Sequence, residues 1–309
     1  MNATDATVVV VTWNGAHLLP ACLDAVLPEG APVLVVDNAS TDGTVAMLAE
    51  RYPTVRVLAS PVNAGFAGGV ARAFDHVSTP VVVLLNNDAV VRPGWLAALL
   101  RGFADPAVAA VTSRLLLPDG RVNSAGGVLT RNGYGHDIGF GLPDGPAYDT
   151  AGEVAYGCGA ALALRADAVR EVGGVDSRFF LYYEDVDLCW RLRLAGHRVV
   201  YAPDAVVDHE HSATAGEFSL LHTYQTERNR LATLVTCATV PLALRMLARF
   251  PLTTVSVAAY ESRAKAWQRV RAYVSVLGWL PALLRRRRRV VVRVPRAEVQ
   301  ARWLTAPPD

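Results

Sequence analysis

The chain has 309 residues, 52% of them hydrophobic, which is enough for one large core or for a catalytic domain with an appendage. Its formal net charge of +2 selects no acidic or basic partner, and Lys265 is the single lysine among otherwise arginine cations. Cys22, Cys158, Cys189 and Cys237 form no C-x-x-C pair, which argues against a zinc cluster or disulfide framework and fits a reducing compartment. The apolar run at 8–11 is too short for a signal peptide and has no basic segment before it, so the sequence predicts a cytoplasmic protein.

β-Branched or apolar runs at 8–12, 33–37, 55–58 and 81–85 alternate with helix-like stretches at 17–26, 41–51 and 68–76. Runs of this length suit strands buried on both faces. Their alternation with helices predicts a parallel α/β sheet with right-handed crossovers. Residues 113–160 are rich in Gly, Pro and Asp and read as loops and short strands, a wall of the acceptor site. Residues 160–174 predict a short strand and a helix closed by Gly173-Gly174. An aromatic run at 179–183 leads into a helix over 186–194, and residues 199–201 read as the last strand. Beyond about residue 218 acids become sparse and the texture turns helical, which places a boundary near 215. The expected organisation is therefore residues 1–215 as the catalytic domain and 216–309 as a helical C-terminal region.

Ligands in such sheets sit beyond the carboxyl ends of the strands. Thr12-Trp-Asn14 follows the first run, Asp37-Asn-Ala-Ser40 the second and Asn86-Asn-Asp88 the fourth, so three polar clusters converge on one sheet edge. Each alone is also an ordinary strand-to-turn transition. Asp88 at a strand end suits Mg²⁺ or Mn²⁺ shared with diphosphate oxygens, and equally suits a turn that caps a helix over 93–100. Glu184-Asp185, behind the aromatic run, is the candidate general base for an acceptor hydroxyl, because apolar surroundings raise a carboxylate's basicity. The two are not separable by this argument, and Asp187 fits better as a helix-start acid stabilised by the dipole. His209 and His211 lie on one side of an extended segment, as a ligand or phosphate contact. The Gly-rich loop Asn63-Ala-Gly-Phe-Ala-Gly-Gly69 precedes a helix and lets backbone approach a nucleotide.

Five segments in this order resemble the family 2 glycosyltransferases, and within them the bacterial rhamnosyltransferase-like members. They are Val8-Val-Val-Val-Thr-Trp-Asn14, Val35-Val-Asp-Asn-Ala-Ser-Thr-Asp-Gly43, the loop at 63–69, Leu84-Leu-Asn-Asn-Asp88 and Phe179-Phe-Leu-Tyr-Tyr-Glu-Asp-Val-Asp-Leu-Cys-Trp-Arg191. The resemblance covers about residues 7–213. It implies a GT-A fold, Rossmann-like, with a mostly parallel mixed sheet flanked by helices. It also implies an inverting mechanism, a divalent cation and a nucleotide-diphosphate sugar, with dTDP-rhamnose the best match and UDP sugars next. Carried over residue by residue, it places Asp37 on the base or ribose, with Thr12, Asn14, Asn63, Gly65 and Asn87 lining the donor slot. Asp88 and His209 fall on the metal or diphosphate, and Asp185 is favoured as general base with Glu184 in support. Asn86 departs from the family by replacing the first acid of its D-x-D-like motif. Val70-Ala71 stands where many relatives carry Asn, and His211 stands where relatives often have small residues.

In the C-terminal third, the uncharged segments at 231–244 and 272–284 are shorter than the ~20 residues of a spanning helix. With Arg285 to Arg289 they suggest helices lying on an anionic membrane surface, on its inner face. Packing on the catalytic domain, with the arginines solvated, is the competing reading. The arginines lack the interleaved aromatics of a nucleic-acid surface. The expected acceptor is a glycan or lipid-linked hydroxyl of the cell envelope. Two other function classes fit the sequence less well. A sugar nucleotidyltransferase needs a basic Gly-rich phosphate signature, and residues 8–14 contain no basic residue. A non-catalytic scaffold would not be expected to retain Asp37, Asp88, Asp185 and His209 together.

Overall fold

The computed structural model describes residues 1–210 and 219–305. The four apolar runs become β1 (Ala6–Thr12), β2 (Val33–Asp37), β3 (Arg56–Ala59) and β4 (Val81–Asn86), parallel and in the order β3-β2-β1-β4. β1 and β2 are buried along their whole length, as two covered faces require. The connections carry α1 (Leu19–Val26), α2 (Thr44–Arg51) and α3 (Gly65–Phe74). α3 starts earlier than the expected stretch because the Asn63 side-chain oxygen accepts the Gly65 N–H at 2.9 Å, partnering a donor that a helix start leaves open.

The rest of the sheet is mixed. The chain continues through β5 (Ala89–Val91), β6 (Val108–Leu116), β7 (Val122–Ser124), β8 (Gly127–Thr130), β9 (Gly135–Asp137), β10 (Gly152–Glu153), β11 (Ala161–Arg165) and β12 (Arg198–His209). β11 lies antiparallel between β4 and β6, and β12 runs parallel to β6 on its other side. β8 and β9 belong to a separate small sheet. The segment read as loops from residue 113 therefore begins inside a long central strand. Thr112-Ser113-Arg114 broke the apolar pattern, yet all three are buried. Trp95 Nε1 donates to Ser113 Oγ at 2.9 Å, and Arg114 pairs with Asp144 and Asp149, so the polar atoms are satisfied inside. β12 also extends well past the expected 199–201, through an irregularity between Ala202 and Val206, and it is not the last strand. β13 (Leu304–Thr305) pairs with β8.

The remaining helices are α4 (Trp95–Arg101), α5 (Ala166–Glu171), α6 (Glu184–Leu194), α7 (Leu220–Cys237), α8 (Val240–Tyr260), α9 (Arg263–Arg289) and α10 (Arg296–Trp303). The expectation of a surface helix over 231–244 is corrected. Leu231, Ala232, Leu234 and Val235 of α7 are buried in one core with Val9, Leu34 and Leu84 of the sheet. The chain turns at Ala238-Thr239, and Pro241 sits in the first turn of α8, where its missing N–H costs nothing. The boundary near 215 lies outside the described residues, and the hydrophobic core continues across it. α8 is long and apolar enough to cross a membrane by length and composition.

The arginine run is not uniform either. Helical geometry turns Arg286 inward, where it bonds Asp187 at 2.6 and 2.8 Å. Arg287 donates to the carbonyls of Val235 and Ala238, at the open end of α7. These two arginines hold the fold together rather than facing solvent or headgroups.

Candidate active site

The carboxyl edge of β1, β2 and β4 brings the three predicted polar clusters together. Thr12 ends β1 opposite Asp37 in the register, and Val11 stands opposite Asn86 on the other side. Asn87 Nδ2 donates to Thr12 Oγ1 at 3.0 Å. Asn14 joins the first two loops: its N–H donates to Ser40 Oγ at 2.8 Å, and its Oδ1 accepts the Thr41 N–H at 2.8 Å. Asp37 Oδ2 accepts the Ser40 N–H at 3.1 Å, while Asp37 Oδ1 and Asn38 Oδ1 are buried without a partner. Buried acceptors of this kind call for donors from a bound molecule, as the N–H and O–H groups of a nucleoside would supply.

Behind β4, Asp88 and His209 are buried and face one another, with Asp88 Oδ1 3.2 Å from His209 Nε2. His209 Nδ1 lies 2.7 Å from Asn123 Oδ1. That oxygen can only accept, so Nδ1 donates to it, and Nε2 accepts from the Asn86 side-chain amide at 3.2 Å while lying beside the Asp88 carboxylate. The Asp88 carboxylate and this imidazole thus bring an oxygen and a nitrogen donor together at the strand end. Among the described residues there is no group of three or more His, Cys, Asp or Glu that could hold a metal. Asp88 and His209 fit a divalent ion that takes its remaining ligands from diphosphate and water, rather than a metal caged by protein.

Glu184 and Asp185 open α6, and the structure separates them. Asp185 Oδ2 accepts the Gly159 N–H at 2.9 Å, and Oδ1 accepts the Val186 N–H at 2.7 Å. Burial raises the Asp185 pKa above the ordinary aspartate range, and these backbone bonds limit the rise. Glu184 is pushed up well above its usual range, first by burial and then by the Asp185 charge, and its Oε2 has no hydrogen-bond partner. Asp185 is thus the member of the pair that ionises more readily. Its anchor is next to Ala160, whose carbonyl accepts the Asn86 N–H at 2.9 Å, so the acid pair and the Asn86-Asn87-Asp88 turn share one strand end.

The acids are presented by a strained loop. Phe180, Tyr182 and Tyr183 all have positive φ, at 63°, 66° and 71°, each costing about 1–3 kcal/mol. Phe180, with ψ −63°, is the centre of a γ-turn of the rarer hand, closed by Leu181 N–H to the Phe179 carbonyl at 2.7 Å. Asn229 on α7 holds this loop, with Nδ2 at 2.9, 3.0 and 2.7 Å from the carbonyl oxygens of Phe179, Leu181 and Tyr182. Arg228 adds a bond to the Phe179 carbonyl at 2.8 Å. On the other side, the Phe180 carbonyl accepts the Ala67 N–H at 3.0 Å. Gly65 has φ +71°, and a Cβ there would collide with the Phe180 backbone. The Gly-rich loop and the acid-bearing loop are therefore packed backbone to backbone.

The model of the glycosyltransferase-like family 2 matches residues 4–232. The chain belongs to that family. It is 33% identical over 242 residues to the N-acetylglucosaminyl-diphospho-decaprenol L-rhamnosyltransferase of Mycobacterium tuberculosis, covering 70% of this chain and 79% of the relative. Among solved structures it is similar to GalNAc-T7 bound to UDP, GalNAc and Mn²⁺, with a TM-score of 0.64, 14% identity, and coverage of 81% of this chain and 50% of that one. It is also similar to a mannosyltransferase of Pyrobaculum calidifontis in complex with GDP-Man and Mn²⁺, with a TM-score of 0.55, 19% identity, and coverage of 98% and 89%. The fold is the GT-A fold of glycosyltransferases, and the chain is a glycosyltransferase.

In this family-2 chain, Thr12, Asn14, Asp37, Asn63, Gly65, Asn87, Asp88, Glu184, Asp185 and His209 all lie at strand ends, helix starts or loops along the carboxyl edge. Asp187 does not join them. It is fully buried and bonds Arg191 and Arg286. Burial pushes its carboxyl up, but the two guanidiniums overcome this and hold its pKa at about 2. Its position is that of a structural ion pair. His211 lies outside the described residues. Sequence reasoning missed Asn123, Gly159 and Asn229. Asn123 and Asn229 carry no local signal, since each acts on a partner far along the chain.

Proposed function

We propose that this glycosyltransferase transfers its sugar with inversion, with rhamnose from dTDP-rhamnose as donor and a hydroxyl of a lipid-linked envelope glycan as acceptor, at the cytoplasmic face of the membrane. The observation that carries the mechanism is the shared strand end of Asp185 and Asp88, linked through Gly159, Ala160 and Asn86. The acceptor oxygen attacks the anomeric carbon, the bond from that carbon to the diphosphate oxygen breaks, and the acceptor proton passes to Asp185. Asp185 suits this role because its backbone bonds keep it ionisable while burial keeps it basic. Glu184, whose pKa burial and the Asp185 charge push upward, supports it. Asp88 and His209 would hold Mg²⁺ or Mn²⁺, which when bound neutralises charge on the departing nucleoside diphosphate. Asp37, Asn38, Thr12, Asn14, Asn63, Gly65 and Asn87 receive the nucleotide. The rhamnose donor and the lipid-linked acceptor rest on the name of the mycobacterial relative.

The test is a panel of dTDP-, UDP- and GDP-sugars, each assayed for binding and for nucleotide-diphosphate release with and without Mg²⁺ or Mn²⁺. Preferential binding of dTDP-rhamnose, with cation-dependent release, is expected. Preference for another donor overturns the rhamnose reading and leaves the transferase chemistry intact.

A further inference from the structure

We propose that the outer face of α8 and α9 is a docking surface for an anionic lipid bilayer, and that the arginine-lined cavity at the end of α9 receives a phosphate headgroup of that bilayer. The proposal rests on the membrane-facing location given above but not on the donor, the metal or the base.

The two helices run side by side and antiparallel. Phe250 stacks on Tyr273 at 5.4 Å between ring centres, the Tyr273 hydroxyl donates to the Leu247 carbonyl at 3.1 Å, and Arg269 donates to Thr253 and Thr254. Their inner sides are thus satisfied. Their outer sides are apolar and uncovered. Leu244, Leu252 and Val255 form one stripe on α8, and Trp267, Val274 and Leu277 form one on α9. Leu252 is 70% exposed and Trp267 62%, while Tyr260 at the turn is 89% exposed. Contiguous apolar surface of this kind on a folded chain marks an interaction face.

The charge beside the stripes identifies the occupant. Neither α8 nor α9 contains an acidic residue, and Glu261 in the turn is the single acid between them. Arg245, Arg249, Arg263 and Arg271 are exposed along the helices. An apolar face rimmed by arginine, with an aromatic at the boundary, matches an anionic membrane interface rather than a protein core. Crossing the bilayer would require α8 to abandon α9 and to carry Arg245 and Arg249 into hydrocarbon, so the hairpin lies along the surface.

The cavity has a volume of about 420 Å³ and is lined in part by Arg178, Arg191, Arg285, Arg286 and Arg289. Arg178 pairs with Asp176, Arg191 with Asp187, and Arg286 with both acids. Arg285 and Arg289 have no carboxylate partner among the described residues and are exposed at its mouth. Arg285 directly follows Leu284, an exposed apolar residue of α9, and Arg289 lies one turn further on. A bilayer on the α9 stripe brings its phosphates to these two guanidiniums, whose fork geometry suits phosphate oxygens.

The experiment is flotation of the full chain with vesicles of phosphatidylcholine alone and of phosphatidylcholine mixed with phosphatidylglycerol, without donor or acceptor. The wild type is expected to bind the anionic vesicles and not the zwitterionic ones. Arg285→Gln with Arg289→Gln should weaken that binding about thirty-fold, since each arginine near such a surface contributes about 1 kcal/mol. Trp267→Ser with Leu252→Ser should also release the chain. All four positions are exposed, so an unchanged melting temperature and unchanged donor hydrolysis in solution separate docking from folding and catalysis. Equal binding to both vesicle types, or anionic binding untouched by both double variants, overturns the proposal. So does saturable binding of inorganic phosphate with no vesicle binding, which would make the cavity a soluble-anion site. A dimer abolished by the Trp267→Ser pair, in a chain that ignores vesicles, would give the face to a second copy and equally overturn it.

Discussion

The side-chain amide of Asn229 lies 2.7 Å from the carbonyl oxygen of Tyr182, the last residue but one before the Glu184-Asp185 pair. Through this bond and those to Phe179 and Leu181, a helix outside the α/β sheet holds the conformation of the loop that presents the acids. Asn229→Ala leaves three carbonyls without that donor and lets the left-handed residues relax. We expect kcat to fall on the order of 10²-fold, as a displacement of about 1 Å at a reacting group does. Donor affinity should stay near wild type. Asn229→Asp, which keeps the shape but removes the N–H groups, should fall as far, and titration of nucleotide binding against turnover checks both.

Asp185→Asn removes the basic oxygen while keeping the shape. It should lower kcat by about 10²–10⁴ with donor affinity unchanged. In the wild type, burial raises the Asp185 pKa, so the acid limb of the kcat profile should lie above the ordinary aspartate range, with rate lost as pH falls through it. Glu184→Gln should keep that limb. A dead Gln variant beside a normal Asn variant would move the base to Glu184.

The Asn123 carboxamide fixes the imidazole of His209 from a strand that takes no other part in the site. Removing it frees the ring without removing the ligand. Asn123→Ala should raise the Mn²⁺ concentration for half-maximal activity by about 10–100-fold, with turnover recovered at saturating metal. Asp88→Ala should abolish transfer at any metal concentration. His209→Ala should cost more than His211→Ala. Activity measured across a metal titration distinguishes these cases.

Arg286→Ala leaves Asp187 facing Arg191 alone inside the core, and should destabilise the fold by about 3–5 kcal/mol. The pH dependence follows from the depressed Asp187 pKa. Its folded value of about 2 lies below the unfolded value of ~3.9, so its contribution is complete above about pH 4 and is lost as pH falls towards 2. The full loss is on the order of 2 kcal/mol for the wild type, and about half of it, roughly 1 kcal/mol, should be read by urea unfolding at about pH 6 and about pH 3. Asp187→Asn should remove that part of the slope.

Periodicity and punctuation alone determined the parallel half of the sheet and its polar carboxyl edge. Runs such as Val8 to Val11 have one physical solution, a strand covered on both faces, and the strand-end rule then places Thr12, Asp37 and Asp88 beside one another. Tertiary structure decided what depends on partners far away in sequence. β6 was hidden because Thr112-Ser113-Arg114 reads as polar until Trp95, Asp144 and Asp149 are brought to it. Glu184 and Asp185 are equivalent as neighbouring acids, and become different only when the Gly159 N–H reaches one of them. The arginines at 285–289 form one basic run in the sequence, but each step turns a helix by about 100°. Arg286 and Arg287 therefore point inward to Asp187 and to the end of α7, while Arg285 and Arg289 open towards solvent. Local sequence fixes which elements form and where polar residues fall along them; the free energy of a buried charge depends on what folding sets against it.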